Sequence, residues 1–130
     1  MTVDWKNIFK IRLSNKIDSS MDKHDIVKLL LVRKILNKHK SNKNWIRIYT
    51  EFTALGEKKA DVYYEDLKSK EAYVYEIQKD TSAKWLKEIT EYYKDWKPSY
   101  VDSFDLVIVD LNKLSDDINE LSEQVEEYVL

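Results

Sequence analysis

The 130 residues include no cysteine, one glycine, one proline and two histidines. Without cysteine there is no disulfide, so packing alone must hold the fold. Gly56 stands by itself, so no glycine-rich loop exists to cradle phosphates, which excludes P-loop nucleotide hydrolysis and leaves no nucleotide cofactor expected. His24 and His39 lie fifteen positions apart with no thiolate to join them, a pattern that does not suit zinc. No serine or cysteine nucleophile comes with a matching base. The longest apolar run, Leu29 to Val32, falls far short of the roughly 20 residues a bilayer span needs, so no membrane partner is expected. The N-terminus lacks the basic segment followed by an apolar one that marks a signal peptide. These absences point to one soluble, cytoplasmic domain, large enough to bury a real core.

The charge is unevenly placed. Residues 1–50 carry 12 Lys and Arg against 4 acids, and residues 51–130 carry 10 against 20. A basic segment attracts a nucleic-acid backbone, because Lys and Arg at phosphates release counterions. Lys6, Lys10, Arg12, Lys16, Lys38, Lys40, Lys43 and Arg47 are candidates for such a surface, with a solvated helix face as the plain alternative.

Hydrophobic periodicity then gives the elements. A short helix is expected around Trp5, Ile8 and Phe9. A long one follows from Asp22, read as N-cap, to His39, with Val27, Leu31 and Ile35 on a broad apolar face that packs on a sheet. Three antiparallel strands are expected at about 45–53, 60–66 and 71–79. Thr81 or Ser82 caps a second helix that runs through Trp85, Ile89, Tyr92, Tyr93 and Trp96 until Pro98 stops it. Phe104 to Leu111 reads as an interior strand beside the third. A last helix starts at Ser115, with Asp116 and Asp117 favourable to its dipole. The fold class expected is α/β, a mixed central sheet flanked by helices.

Acids gather in this pattern. Leu67 to Lys70 is a polar tip between two Val- and Tyr-rich runs, and a turn centred there sets Asp61 opposite Glu76, with Gln78 on the same face. A register slipped by one would throw Asp61 to the other face. A turn through Ala54 to Glu57 brings Glu51 opposite position 60 or 61. Carboxylates this close repel unless a cation joins them, and Mg²⁺, with Mn²⁺ as its substitute, is held by one or two carboxylates together with water and substrate phosphates. His24 reads as a solvated first-turn residue of the first long helix.

Glu51, Asp61 and Glu76-Ile77-Gln78, in this order and spacing, resemble the PD-(D/E)xK nuclease superfamily, which includes restriction endonucleases and Holliday-junction resolvases. The resemblance covers most of the chain and implies a restriction-endonuclease-like α-β-β-β-α-β core with an extra C-terminal helix. It further implies a Mg²⁺-dependent DNA endonuclease acting as a homodimer. Asp61 and Glu76 would hold the metal, with the Ile77 carbonyl and Glu51 as further ligands. Two departures stand out. Ala60 replaces the usual proline, and Gln78 replaces the lysine that positions or deprotonates the attacking water. Lys59 is the first candidate to substitute for it, followed by Lys79, Lys84 and Lys87. Lys38, Lys40, Lys43, Arg47, Lys79 and Lys84 would contact DNA. The alternative is an inactive nuclease-fold adaptor that binds DNA or protein.

Overall fold

The computed structural model describes residues 19–53, 59–79 and 81–129. Helix α1 (Ser19–Lys38) leads through a 3₁₀ segment (Lys40–Trp45) into strands β1 (Ile46–Thr53), β2 (Lys59–Asp66) and β3 (Glu71–Gln78). Helix α2 (Ala83–Tyr93), strand β4 (Ser103–Asp110), a 3₁₀ turn (Leu111–Lys113) and helix α3 (Ile118–Glu126) complete it. The strands lie in chain order, β1, β2 and β3 antiparallel and β4 parallel to β3. This is a mixed α/β fold whose four-stranded sheet is covered on both faces. On one face Val27, Leu31, Val32 and Ile35 of α1, with Leu121 and Val125 of α3, pack on Ile48, Val62, Tyr64, Tyr75 and Ile77. On the other, Ile89 and Tyr93 of α2 pack on Tyr63, Ala72 and Val74. Each large apolar side chain withdrawn from water in these layers contributes about 1.5–3 kcal/mol.

The β2–β3 register is the one the polar tip predicts: Val62 pairs with Tyr75 and Tyr64 with Tyr73. Asp66 closes the turn by accepting the Lys68 and Ser69 N–H groups at 3.0 and 3.2 Å, and Lys70 takes the left-handed conformation at φ 60°.

Four expectations need correction. Helix α1 begins at Ser19, so Asp22 lies in its first turn rather than at its cap. Ser82 caps α2 by accepting Trp85 N–H, but the helix stops at Tyr93, before Trp96 and Pro98. Trp96 instead inserts edge-on between Phe104 and Tyr63. Asp117, not Ser115, caps α3 through Glu120 N–H, while Ser115 Oγ accepts Asp117 N–H one step earlier. Finally, β4 is an edge strand among the described residues, and only Val109 in it is buried. The expected helix around Trp5 lies outside the described residues, as do Lys6, Lys10, Arg12 and Lys16. No described helix is long and apolar enough to cross a membrane.

Candidate functional site

The three acids meet at one end of the sheet because antiparallel pairing brings the end of β1, the start of β2 and the end of β3 together. Thr50 opposite Val62 and Phe52 opposite Ala60 bracket Glu51 and Asp61, so the register aligns these two. They are not themselves a ladder pair, because Glu51 sits at φ 53°, a left-handed conformation that breaks the regular pleat. On the other side, the step beyond Val62 and Tyr75 sets Asp61 beside Glu76. The Asp61 carboxylate turns to cap this ladder: Oδ2 accepts the Ile77 N–H at 2.7 Å.

Each acid is oriented by a partner. Glu76 is buried, and its Oε1 accepts the Tyr93 hydroxyl of α2 at 2.6 Å. Burial and this bond push the Tyr93 pKa far above its ordinary value, and the negative charge of Asp61 adds to the shift. The Tyr93 hydroxyl thus senses both carboxylates. From the opposite face, α1 contributes His24, whose Nε2 lies 3.2 Å from Asp61 Oδ1. Burial alone would disfavour the imidazolium, but the bond to Asp61 and its charge more than offset this and raise the His24 pKa.

One turn further along α1, Lys28 is completely buried. Its ammonium donates to Glu51 Oε1 and lies 4.0 Å from Asp25 Oδ1. A lysine is almost never fully buried unless paired, and this one is paired with the acid that holds the strained backbone position. Asp25 Oδ1 and His24 Nδ1 stand 3.6 Å apart, beyond hydrogen-bond reach, and both are buried without a hydrogen-bond partner.

The sequence pattern groups Glu51, Asp61 and Glu76 and sets Gln78 on β3, where it is half-buried and pairs with Asp110 of β4. Lys28 is the residue that sequence reasoning misses. Lys59, Lys79, Lys84 and Lys87 are all exposed, so none of these substitutes enters the acid cluster. His24 also differs from expectation, being mostly buried against Asp61 rather than solvated. A signal for both exists: His24, Lys28, Leu31 and Val32 are spaced three and four apart, so the two polar residues interrupt the apolar stripe of α1. Polar side chains on a buried stripe require partners, and here those partners are acids.

The basic candidates divide by position. Lys38, Lys40, Lys43 and Arg47 are exposed around the start of β1, at the sheet end away from the acids, whereas Lys79 and Lys84 follow β3 at the acid end. Among the described residues none of the six forms a salt bridge. Compared with protein-family models, curated proteins and solved structures, the chain matches none.

Proposed function

We propose that the protein is a metal-dependent DNA nuclease, acting as an endonuclease and built on a restriction-endonuclease-like core. One observation carries this reading: carboxylates from three successive strands, Glu51, Asp61 and Glu76, gather at one sheet end beside a wholly buried lysine. The observed order of one helix, three antiparallel strands, a helix and a parallel strand supports the core assignment.

The donor set suits Mg²⁺, since all three acids supply hard oxygen ligands. Among the described residues no three His, Cys, Asp or Glu side chains form a ready-made metal cage. Mg²⁺ is commonly held by one or two carboxylates and completes its shell with water and phosphate oxygens. Asp25 Oδ1 is buried without a hydrogen bond, 4.0 Å from the Lys28 ammonium. Asp61 and Glu76 would hold the ion, with the Ile77 carbonyl and Glu51 as the further ligands. When bound it would lower the pKa of an attacking water and offset charge on the phosphate.

The protein's own groups have separate tasks. Ile77 N–H and His24 fix the Asp61 carboxylate, and Tyr93 fixes that of Glu76. Lys28 supplies the cation that Gln78 does not, balancing the negative charge that collects when a phosphate approaches three acids. The partners proposed are DNA and, for cutting two strands, a second copy of the chain.

The test is incubation of wild type, Asp61→Asn, Glu76→Gln and Lys28→Met with labelled linear, nicked, forked and four-way DNAs in Mg²⁺, Mn²⁺ or EDTA. Wild type should cleave only with metal, and each variant should lose at least about 100-fold. Full activity in Asp61→Asn and Glu76→Gln would reject the assignment. DNA binding that ignores metal and never leads to cleavage would establish the second reading, an inactive adaptor, which Gln78 favours.

A further inference from the structure

The sheet end remote from the acids presents a different chemistry. Trp45 and Tyr100 are 50% and 53% exposed, two of the four large apolar side chains so displayed among the described residues. Both are anchored. Trp45 O accepts Leu67 N–H at 2.9 Å, tying the start of β1 to the β2–β3 turn. The Tyr100 hydroxyl donates to Glu65, a buried carboxylate that also accepts the Tyr63 hydroxyl. Its polar tip is thereby held while half of its surface remains in solvent.

Cations lie at the same end of the sheet. Arg47 lies opposite Glu65 across β1 and β2, and its charge is felt at the Tyr100 hydroxyl. Lys38, Lys40 and Lys43 are exposed on the segment leading into Trp45 and form no salt bridge among the described residues. Of the acids at this end, Asp66 closes its turn and Glu71 accepts the Tyr73 hydroxyl, while Asp102 and Asp105 are exposed on the β4 side of Tyr100. Aromatic faces set among unpaired cations fit one kind of partner, an unpaired polynucleotide strand whose bases stack while its phosphates meet Lys and Arg. Bases in a duplex are already stacked and cannot reach these rings.

We infer that Trp45 and Tyr100, with Arg47 and Lys43, form a stacking platform for single-stranded nucleic acid, distinct from the acid cluster. Arg47 and Glu51 are four residues apart on β1, roughly 13 Å, so the platform and the acids lie toward opposite ends of one strand.

The experiment is fluorescence anisotropy of labelled oligo(dT), oligo(U) and blunt duplex, each about 20 nucleotides long, in EDTA so that no cleavage is required. The full chain should bind at least one single strand more tightly than duplex. Trp45→Ala and Tyr100→Ala should each weaken that binding roughly 5- to 150-fold, with duplex binding changed by less than about 2-fold. Tyr100→Phe, which keeps the ring, should retain it, and Arg47→Ala should flatten the salt dependence by about one phosphate contact. Preference for oligo(dT) over oligo(U), or the reverse, upholds the platform and assigns its polymer. Single-strand binding unchanged in both alanine variants, or duplex bound as tightly as single strand, overturns it. Trp45→Ala should match wild type in circular dichroism and thermal unfolding, whereas Tyr100→Ala and Tyr100→Phe both remove a donor from the buried Glu65 and should lose a similar amount of stability, so the ring's part is read by comparing those two with each other. A wild-type chain that cleaves with metal but shows no preference for single strand over duplex would refute only this inference.

Discussion

Replacing Lys28 separates stability from chemistry. Its side chain is wholly buried, while the carboxylate it meets, Glu51, remains 25% exposed. Lys28→Ala deletes three buried methylenes and leaves a cavity, which together cost about 2–4 kcal/mol. Lys28→Met keeps a stem of similar volume and removes only the ammonium. Stranding the partner of a fully buried pair costs about 3–5 kcal/mol. Glu51 can regain water, so Lys28→Met should cost less, roughly 1–2 kcal/mol. Adding Glu51→Gln removes the stranded charge, and the double variant should equal or exceed wild type, because desolvating an ion pair often costs as much as its attraction returns. Urea unfolding measures these differences, and each kcal/mol should move the thermal midpoint by roughly 3–5 °C in a chain of this length. Cleavage should nevertheless fall at least about 100-fold in Lys28→Met and stay low in the stabilised double variant. A double variant no more stable than Lys28→Met, or one that retains cleavage, would refute the view that this charge is kept for function at a cost in stability.

Three further outcomes test the surrounding structure. Lys70 is held at φ 60° in an exposed turn, so Lys70→Gly should stabilise by about 1 kcal/mol, read as a higher urea midpoint at unchanged slope. Asp61→Asn keeps an acceptor for Ile77 N–H and should cost no more than about 1–2 kcal/mol in thermal unfolding, whereas Asp61→Ala, which abandons that N–H, should cost more. Tyr63, Tyr64 and Tyr93 have pKa values raised by burial first, with Glu65 and Glu76 hydrogen-bonded to two of them. An unfolded tyrosine ionises near pH 10 while the folded one keeps its proton, so this stabilisation is complete below about pH 10 and is lost as pH rises through the folded values. Three such groups should lower stability by roughly 4 kcal/mol per pH unit above that point. A urea midpoint that stays flat from pH 9 to pH 11 would contradict it.

What the sequence discloses follows from how local each cause is. The hairpin register is legible because Leu67 to Lys70 is the only polar break between two runs of Val and Tyr, so turn spacing alone sets Asp61 beside Glu76. Ser82 marks the start of α2 correctly, but Pro98 does not mark its end: the helix stops at Tyr93, five residues before the proline, and Trp96 packs on Phe104 and Tyr63 instead. Strand β4 misleads for a different reason. An apolar run reports burial on two faces but not which strands flank it, and flanking partners are set by long-range topology.

The acid cluster shows the same divide within one site. Its strand residues are visible as alternation and turn spacing, both short-range. Its cation is expected near Gln78 in sequence, at Lys59, Lys79, Lys84 or Lys87, all of which remain in solvent. Lys28 lies far from Gln78 in the chain and reaches the cluster only because Val27, Leu31 and Ile35 dock α1 across the sheet. The same docking seats His24 on Asp61 and leaves Asp25 Oδ1 buried without a hydrogen bond beside Lys28. A helix that carries an apolar stripe for packing therefore also delivers three polar groups to the acids. Substitutions that loosen this stripe, such as Leu31→Ala, should lower cleavage as well as stability even though Leu31 belongs to the apolar core. Cleavage that falls in proportion to the unfolded fraction alone would show that the docking of α1 supports the fold but not the site.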